Sequence, residues 1–299
     1  MLPKTKFFDR AFLNANSIYN YGDVKDNTPS GRIFSKMLIA LKWAVRNVHT
    51  LFSKYRIEMP YFEVMVTEKC NMRCKKCSNL MPLIASPKDV PIGQLIDDID
   101  RVLASVDQII LLKVLGGEPF LYRALPQLLN HIANNPKIMR IEVVTNGTVY
   151  PREDVVFALI HPKIHVVVSP YGKEKTDDIL KMFDLMSIKY FYPELANWND
   201  FGDFERRRRM LGANQKIFAG CEKCITLING EIFCCPRAGH ATALGLVPKM
   251  EGEYITVRDN FPDSIKKRLY RFSKLKVIST CDYCTNPGPI IPIAEQMES

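Results

Sequence analysis

The chain has 299 residues, 47 % of them apolar, enough for a sizeable core in one large domain with an appendage or in two domains. Lys and Arg number 41 against 32 Asp and Glu, a formal charge of +9 that no tail or repeat concentrates, which counts against nucleic acid as a partner. Nine cysteines fall in the groups 70/74/77, 221/224/234/235 and 281/284. The opening Met1-Leu-Pro-Lys-Thr-Lys-Phe-Phe lacks the apolar core of a secretory signal, so metal binding in a reducing, cytoplasmic setting is expected over a disulfide scaffold.

In chain order, residues 1–59 form an N-terminal extension. Apolar positions at Phe34, Met37, Leu38, Leu41, Val45, Val48 and Phe52 make a helical stripe ringed by Lys36, Lys42, Arg46 and Lys54. Such a helix packs on its own domain or lies against a membrane surface, and its apolar run is too short to span a bilayer. From residue 60 to 200, short apolar runs alternate with helical stretches. Strands are expected at 61–67, 108–115, 139–145, 164–169 and 186–191, and helices at 91–105, 121–134, 151–160 and 174–183. That order predicts an α/β fold with a parallel sheet and crossover helices, closed into a barrel or partial barrel.

The residues with chemical potential follow those strands: Cys70, Cys74 and Cys77, then Gly116-Gly-Glu-Pro119, Thr145-Asn-Gly147 and Ser169-Pro-Tyr-Gly172. Loops at the carboxyl ends of parallel strands converge on one face. Three thiols spaced three and two residues apart suit three irons of a cubane cluster and leave one iron open. Structural zinc, which takes four closed ligands, fits them less well. Beyond residue 200, Thr226-Leu-Ile-Asn-Gly-Glu-Ile-Phe233 reads as a hairpin turning at Asn229-Gly230. Cysteines flank it, and Cys281-Asp-Tyr-Cys284 follows later, so residues 201–299 are expected to be a small cysteine-bearing module. The run Arg206-Arg-Arg-Arg209 is a solvated face or a contact for a phosphate or an anionic surface.

With Cys70-Asn-Met-Arg-Cys74-Lys-Lys-Cys77, Gly116-Gly-Glu-Pro119 and their spacing in a strand–helix series, residues 60–190 resemble the radical S-adenosylmethionine (SAM) enzymes. The resemblance implies a partial (β/α)6 TIM-like barrel with a [4Fe-4S] cluster on Cys70, Cys74 and Cys77. SAM would bind its fourth iron and be cleaved to a 5'-deoxyadenosyl radical, with electrons from a flavodoxin- or ferredoxin-like reductant. Gly116 and Gly117 would let backbone approach the ligand, Glu118 of the Gly-Gly-Glu-Pro119 motif would suit the methionine ammonium, and Asn146 and Ser169 would reach the SAM carboxylate or ribose. One departure is Lys76, where these enzymes often carry an aromatic residue before the third cysteine.

The C-terminal segment resembles the auxiliary-cluster module called a twitch domain. The likeness implies a second [4Fe-4S] cluster on Cys224, Cys235, Cys281 and Cys284, with Cys221 or Cys234 as substitutes. Size and layout resemble the aminocyclitol (2-deoxy-scyllo-inosamine) dehydrogenases. The stretch Leu227–His240 and Cys77-Ser-Asn-Leu-Met-Pro82 are similar to radical SAM proteins of bacterial surface-polysaccharide clusters. Together these imply an oxidoreductase acting on a secondary alcohol of a sugar or polyol, free, phosphorylated or nucleotide-linked. Arg237, His240 and Tyr171 are the candidate substrate contacts, His240 as a general base. The rivals are sugar epimerisation or dehydration, in which a spare thiol donates hydrogen, and peptide modification.

Overall fold

The computed structural model describes residues 57–171, 173–193 and 197–298, with the side chains of 173–175 left aside. The helix expected over 34–54 lies outside them. Five parallel strands carry the first part of the chain: β1 (Glu58–Met65), β2 (Gln108–Leu115), β3 (Ile138–Thr145), β4 (Ile164–Val168) and β5 (Tyr190–Phe191). Helices α1 (Ile92–Ser105), α2 (Leu125–Ala133), α3 (Glu153–Leu159) and α4 (Lys173–Leu185) connect them. Each helix forms because its apolar residues recur at helical spacing. In α1, Leu95, Ile99 and Val102 are buried against the sheet, each contributing about 1.5–3 kcal/mol. Pro126 sits in the first turn of α2, where its missing N–H has no partner to lose.

A short strand β6 (Asn197–Asn199) and helix α5 (Leu211–Gly220) lead to the expected hairpin, β7 (Thr226–Ile228) and β8 (Glu231–Phe233). Asn229 and Gly230 both take positive φ, 49° and 83°, as a two-residue hairpin turn of matching twist requires. Helix α6 (Pro236–Ala243), strand β9 (Tyr254–Thr256), helix α7 (Pro262–Phe272) and strand β10 (Ile290–Pro292) complete the chain.

The hairpin extends the main sheet. Strand β7 pairs in parallel with β1, giving the order β5-β4-β3-β2-β1-β7-β8-β9. The sheet is flanked by helices, as a partial barrel of this type is, and β7 takes the sixth parallel place, beside β1. One face of the strands packs Phe62, Val64, Leu112, Val114, Ile141 and Val143 against the helices. The inner face is stacked in levels. Tyr61 and Leu111 meet Cys224 at the lowest, while Met65, Leu115, Val144 and Ile228 gather beneath the first cysteine loop. Among the described residues no helix is long and apolar enough to cross a membrane.

Candidate active site

A cavity of about 690 Å³ opens at the carboxyl ends of the strands. Cys70, Cys74 and Cys77 line one side of it. Their loop is fixed to the next strand's end by backbone. Gly117 N donates to Thr67 O at 2.8 Å and Glu118 N to Lys69 O at 2.8 Å. A Cβ on Gly116 would stand 2.4 Å from Thr67 O, and one on Gly117 2.2 Å from Lys69 O. Both glycines line the cavity, but the close approach that demands them is to the cysteine loop.

Glu118 is wholly buried and absent from the cavity wall. Its Oε1 accepts from Phe120 N (3.0 Å) and Thr145 Oγ1 (2.8 Å), and its Oε2 from Asn146 N (2.8 Å). Burial pushes its carboxyl up to about 7, against the pull of these three donors. The side chain is a brace between the ends of β2 and β3, and Pro119 is buried behind it. Asn146 does face the cavity. Its Nδ2 donates to Asn71 Oδ1 (2.8 Å) and lies 3.9 Å from Cys70 Sγ. Ser169 and Tyr171 stand on the same wall, Tyr171 edge-on to Trp198 with centroids 5.4 Å apart. Lys76 pairs with Asp200 at 2.8 Å on the cavity rim.

The end of the chain lies across the first cysteine loop. Lys75 N donates to Glu295 O (2.8 Å), Met297 N to Arg73 O (2.7 Å) and Arg73 N to Gln296 Oε1 (2.7 Å). Gln296 Nε2 donates to Cys74 Sγ at 3.3 Å. Sequence reasoning missed this contact, which joins residues more than two hundred positions apart.

Across the cavity stand Cys221, Cys224, Cys235 and Cys284. Cys281 is buried just behind, close to Cys221 and Cys284. Cys234 is buried in the main core and off the cavity wall, whereas its neighbour Cys235, at the start of α6, lines the cavity. The loop between Cys281 and Cys284 is held by the arginine run. Arg209 N donates to Asp282 Oδ1 (2.8 Å), Arg206 pairs with its Oδ2 (3.3 Å), and Arg209 Nη1 donates to Cys281 O (3.2 Å). Cys224 packs on Tyr61 and Leu111, with Glu63 and Lys113 as well as Cys235 and Cys221 in its surroundings.

All nine cysteines are free. Among the described residues no three His, Cys, Asp or Glu side chains converge closely enough for a single metal ion. The donor sets fit a larger sulfur-ligated group. Burial lifts the thiols of Cys70 and Cys281 to about 11 and that of Cys235 to about 12, so thiolates there need a positive partner of the kind iron supplies.

Arg237 lies on the cavity wall near Cys284 and Cys235 of one cysteine set, Cys77 of the other, and Asp200. Its Nη2 donates to Gly202 O at 3.0 Å and its guanidinium stacks 4.1 Å over Phe204. His240 is buried off the cavity wall, with no hydrogen-bond partner at Nε2, and burial lowers its pKa to about 4. Sequence reasoning also passed over Glu63 and Lys113, which line the cavity from β1 and β2. Their signal was a charge set inside a run of largely apolar strand residues, Tyr61–Thr67 and Ile109–Leu115.

Residues 64–229 match the sequence model of the Radical SAM superfamily. Among curated proteins, the chain is 27 % identical over 144 residues to the GTP 3',8-cyclase of Syntrophomonas wolfei, covering 46 % of this chain and 43 % of that one. It is 32 % identical over 106 residues to the 7-carboxy-7-deazaguanine synthase of Aquifex aeolicus, covering 36 % and 44 %. It thus spans less than half the length of these relatives. Among solved structures, BtrN in complex with AdoMet and 2-DOIA aligns at TM-score 0.49 and 16 % identity over 78 % of this chain and 94 % of that one. Streptococcus suis SuiB bound to its precursor peptide SuiA aligns at TM-score 0.37 and 18 % identity, over 51 % and 36 %. With more than half its length matched to the family, the chain belongs to the radical SAM superfamily and is a radical SAM enzyme.

Proposed function

We propose that this enzyme oxidises a secondary alcohol of a sugar- or cyclitol-like substrate. The observation that carries the reading is that two separate cysteine sets open on one cavity. Cys70, Cys74 and Cys77 would hold a [4Fe-4S] cluster that, with SAM, supplies the 5'-deoxyadenosyl radical. Cys221, Cys235, Cys281 and Cys284 would hold a second [4Fe-4S] cluster, which supplies an acceptor for one electron. Cys221 takes the place of Cys224 in this set because it lies near both Cys235 and Cys281, whereas Cys224, though near Cys235 and Cys221, packs on Tyr61 and Leu111 beside Glu63 and Lys113. Four thiolates on the second site leave no iron open to SAM, so the two sites have different tasks.

The chain's own side chains prepare the space between them. Gly116 and Gly117 hold the first cysteine loop against β2, Asn146 orients Asn71 beside Cys70, and Ser169 offers a hydroxyl on the SAM side. Tyr171 and Trp198 close one wall with aromatic surface and limit water. Arg237 presents its remaining N–H groups to substrate oxygen. His240, buried off the wall, is left out of the proton transfer. The cyclase's name puts a nucleotide in that protein's reaction, which keeps nucleotide-linked sugars within the substrate class.

The test is anaerobic iron and sulfide content with SAM-dependent 5'-deoxyadenosine formation. About eight irons are expected, falling to about four in Cys221→Ala and staying near eight in Cys224→Ala. About four irons in the unaltered protein would remove the electron acceptor and the dehydrogenase reading with it. Epimerisation is favoured by one observation, the presence of Cys224 on the cavity wall outside the proposed ligand set. A product of unchanged oxidation level carrying one solvent deuterium, lost in Cys224→Ala, would establish that reading instead.

A further inference from the structure

At one level of the barrel, strand register sets five polar residues side by side. Thr226 faces Glu63, Glu63 faces Lys113, Lys113 faces Glu142, and Glu142 faces His165. Glu63 and Lys113 reach the cavity and form its floor, below the cysteine loops. Polar side chains are costly at this depth, and these are not fully satisfied by one another. Glu63 accepts from the Tyr61 hydroxyl and from Thr226 Oγ1 (2.6 Å), which leaves about half of a carboxylate's four acceptor positions open. The Lys113 ammonium stands 3.6 Å from Glu142, beyond hydrogen-bond reach, and 5.0 Å over the Tyr61 ring. Glu142 is wholly buried, and neither of its oxygens has a hydrogen-bond partner, its company being the ion pairs with Lys113 and with Arg140 (3.2 Å). The floor therefore turns toward the cavity an acceptor on one strand and a three-proton donor on the next, on backbones about 4.8 Å apart.

We propose that this floor is the recognition site for an uncharged, hydroxyl-bearing end of the substrate, and that it discriminates against a phosphate there. The inference rests on the sugar-class reading above and narrows it. A hydroxyl gives its proton to Glu63 and takes one of Lys113's, and a vicinal diol divides the two bonds between its oxygens. A phosphate has no proton to give near neutral pH and would lie against Glu63. In this row Lys113 stands between two carboxylates, Glu63 and Glu142, and Arg140, one register step below, is paired with Glu142, so no surplus positive charge is left to hold a dianion.

The experiment is saturation-transfer NMR on the full chain with both cysteine sites filled and SAM bound, using myo-inositol and myo-inositol 1-phosphate as probes. Myo-inositol is expected to bind at least tenfold more tightly than its phosphate and to lose at least tenfold in Lys113→Met. Glu63→Gln is expected to weaken myo-inositol and to strengthen the phosphate several-fold, a change of preference that a merely structural role would not produce. SAM affinity reports on folding, and should Lys113→Met lose it, Glu63→Gln carries the test. The proposal is overturned by equal or tighter binding of the phosphate, by unchanged myo-inositol binding in both variants, or by no binding of myo-inositol to the unaltered protein. Binding without any oxidation of a bound polyol would sink the oxidation reading and leave the floor standing. Oxidation that persists unaltered in both variants would do the reverse.

Discussion

Glu118→Gln separates a brace from a ligand. The carboxylate receives three hydrogen bonds, two of them from the backbone N–H groups of Phe120 and Asn146. Glutamine can keep its carbonyl oxygen at the position that serves Phe120 and Thr145. Its amide nitrogen then confronts the Asn146 N–H, donor against donor, in a site without water access. Losing that bond and leaving the N–H buried costs roughly 1–3 kcal/mol. Glu118→Ala orphans both backbone donors and opens a void, for roughly 2–6 kcal/mol. Urea unfolding at pH 5.5, below the carboxyl's value of about 7 so that no charge is buried at Glu118, followed by circular dichroism, should show both losses in that order. Equilibrium binding of SAM to the Gln variant should stay within about threefold, because the carboxylate is off the cavity wall. Were the side chain instead to meet the methionine ammonium, the pattern would invert, since removing one partner of a buried charged pair costs about 2–5 kcal/mol, at least thirtyfold in affinity. Unchanged stability with that loss of SAM would refute the brace.

Two further substitutions read the cysteine loop directly. Gly117→Ala forces a Cβ against Lys69 O and should destabilise by roughly 1–3 kcal/mol while lowering the iron content of the first site; Gly93→Ala in α1, with nothing within 4 Å, should be neutral or stabilising in the same melts. Gln296→Leu removes the N–H donor to Cys74 Sγ, so the midpoint potential of the cluster proposed for Cys70, Cys74 and Cys77, measured by EPR-monitored titration, should fall by roughly 20–40 mV; an unchanged potential would show that the amide does not act on the sulfur.

Much of this arrangement was legible in the chain because it is local. The strands at 108–115, 138–145 and 164–168 and their helices follow from short-range periodicity, and the hairpin turn follows from the readiness of Asn229 and Gly230 for positive φ. The first cysteine loop was equally visible as three spaced thiols after a strand. What escaped is non-local. Nothing near residue 226 announces that β7 will pair with β1 across more than 160 positions, so the hairpin was expected as an appended module and instead continues the sheet. The charges of Glu63, Lys113 and Glu142 look like scattered exceptions in largely apolar strands until register lines them up. Arg206 to Arg209 had the composition of a free anion site, yet Arg206 and Arg209 are engaged with Asp282 between two cysteines. Cys224 and Cys221 are indistinguishable by spacing. Only the inward face that Cys224 shares with Thr226, two residues on, separates them.

His240 and Glu118 oppose one another in pH. Burial holds the imidazole at about 4 against an ordinary 6.5, so its contribution to stability is complete above pH 6.5 and is lost as pH falls through 4. Burial holds the Glu118 carboxyl at about 7 against 4.5, so its contribution is complete below pH 4.5 and is lost as pH rises through 7. At roughly 1.4 kcal/mol per tenfold in proton affinity, each span is worth about 3 kcal/mol, and between pH 4.5 and 6.5 the two slopes cancel. The unaltered protein should therefore show little net pH dependence from this pair. His240→Leu, which cannot be protonated, should expose the Glu118 slope, with stability falling by about 3 kcal/mol from pH 4.5 to 7. Glu118→Gln should expose the opposite slope, rising from pH 4 to 6.5. The same substitution at His240 tests its part in catalysis, since a group neutral throughout pH 6–9 and off the cavity wall cannot set a limb of the rate profile there. Turnover in His240→Leu should keep the shape of the unaltered profile. A limb that vanishes with His240 would place the imidazole in the proton path and refute the reading drawn from its burial.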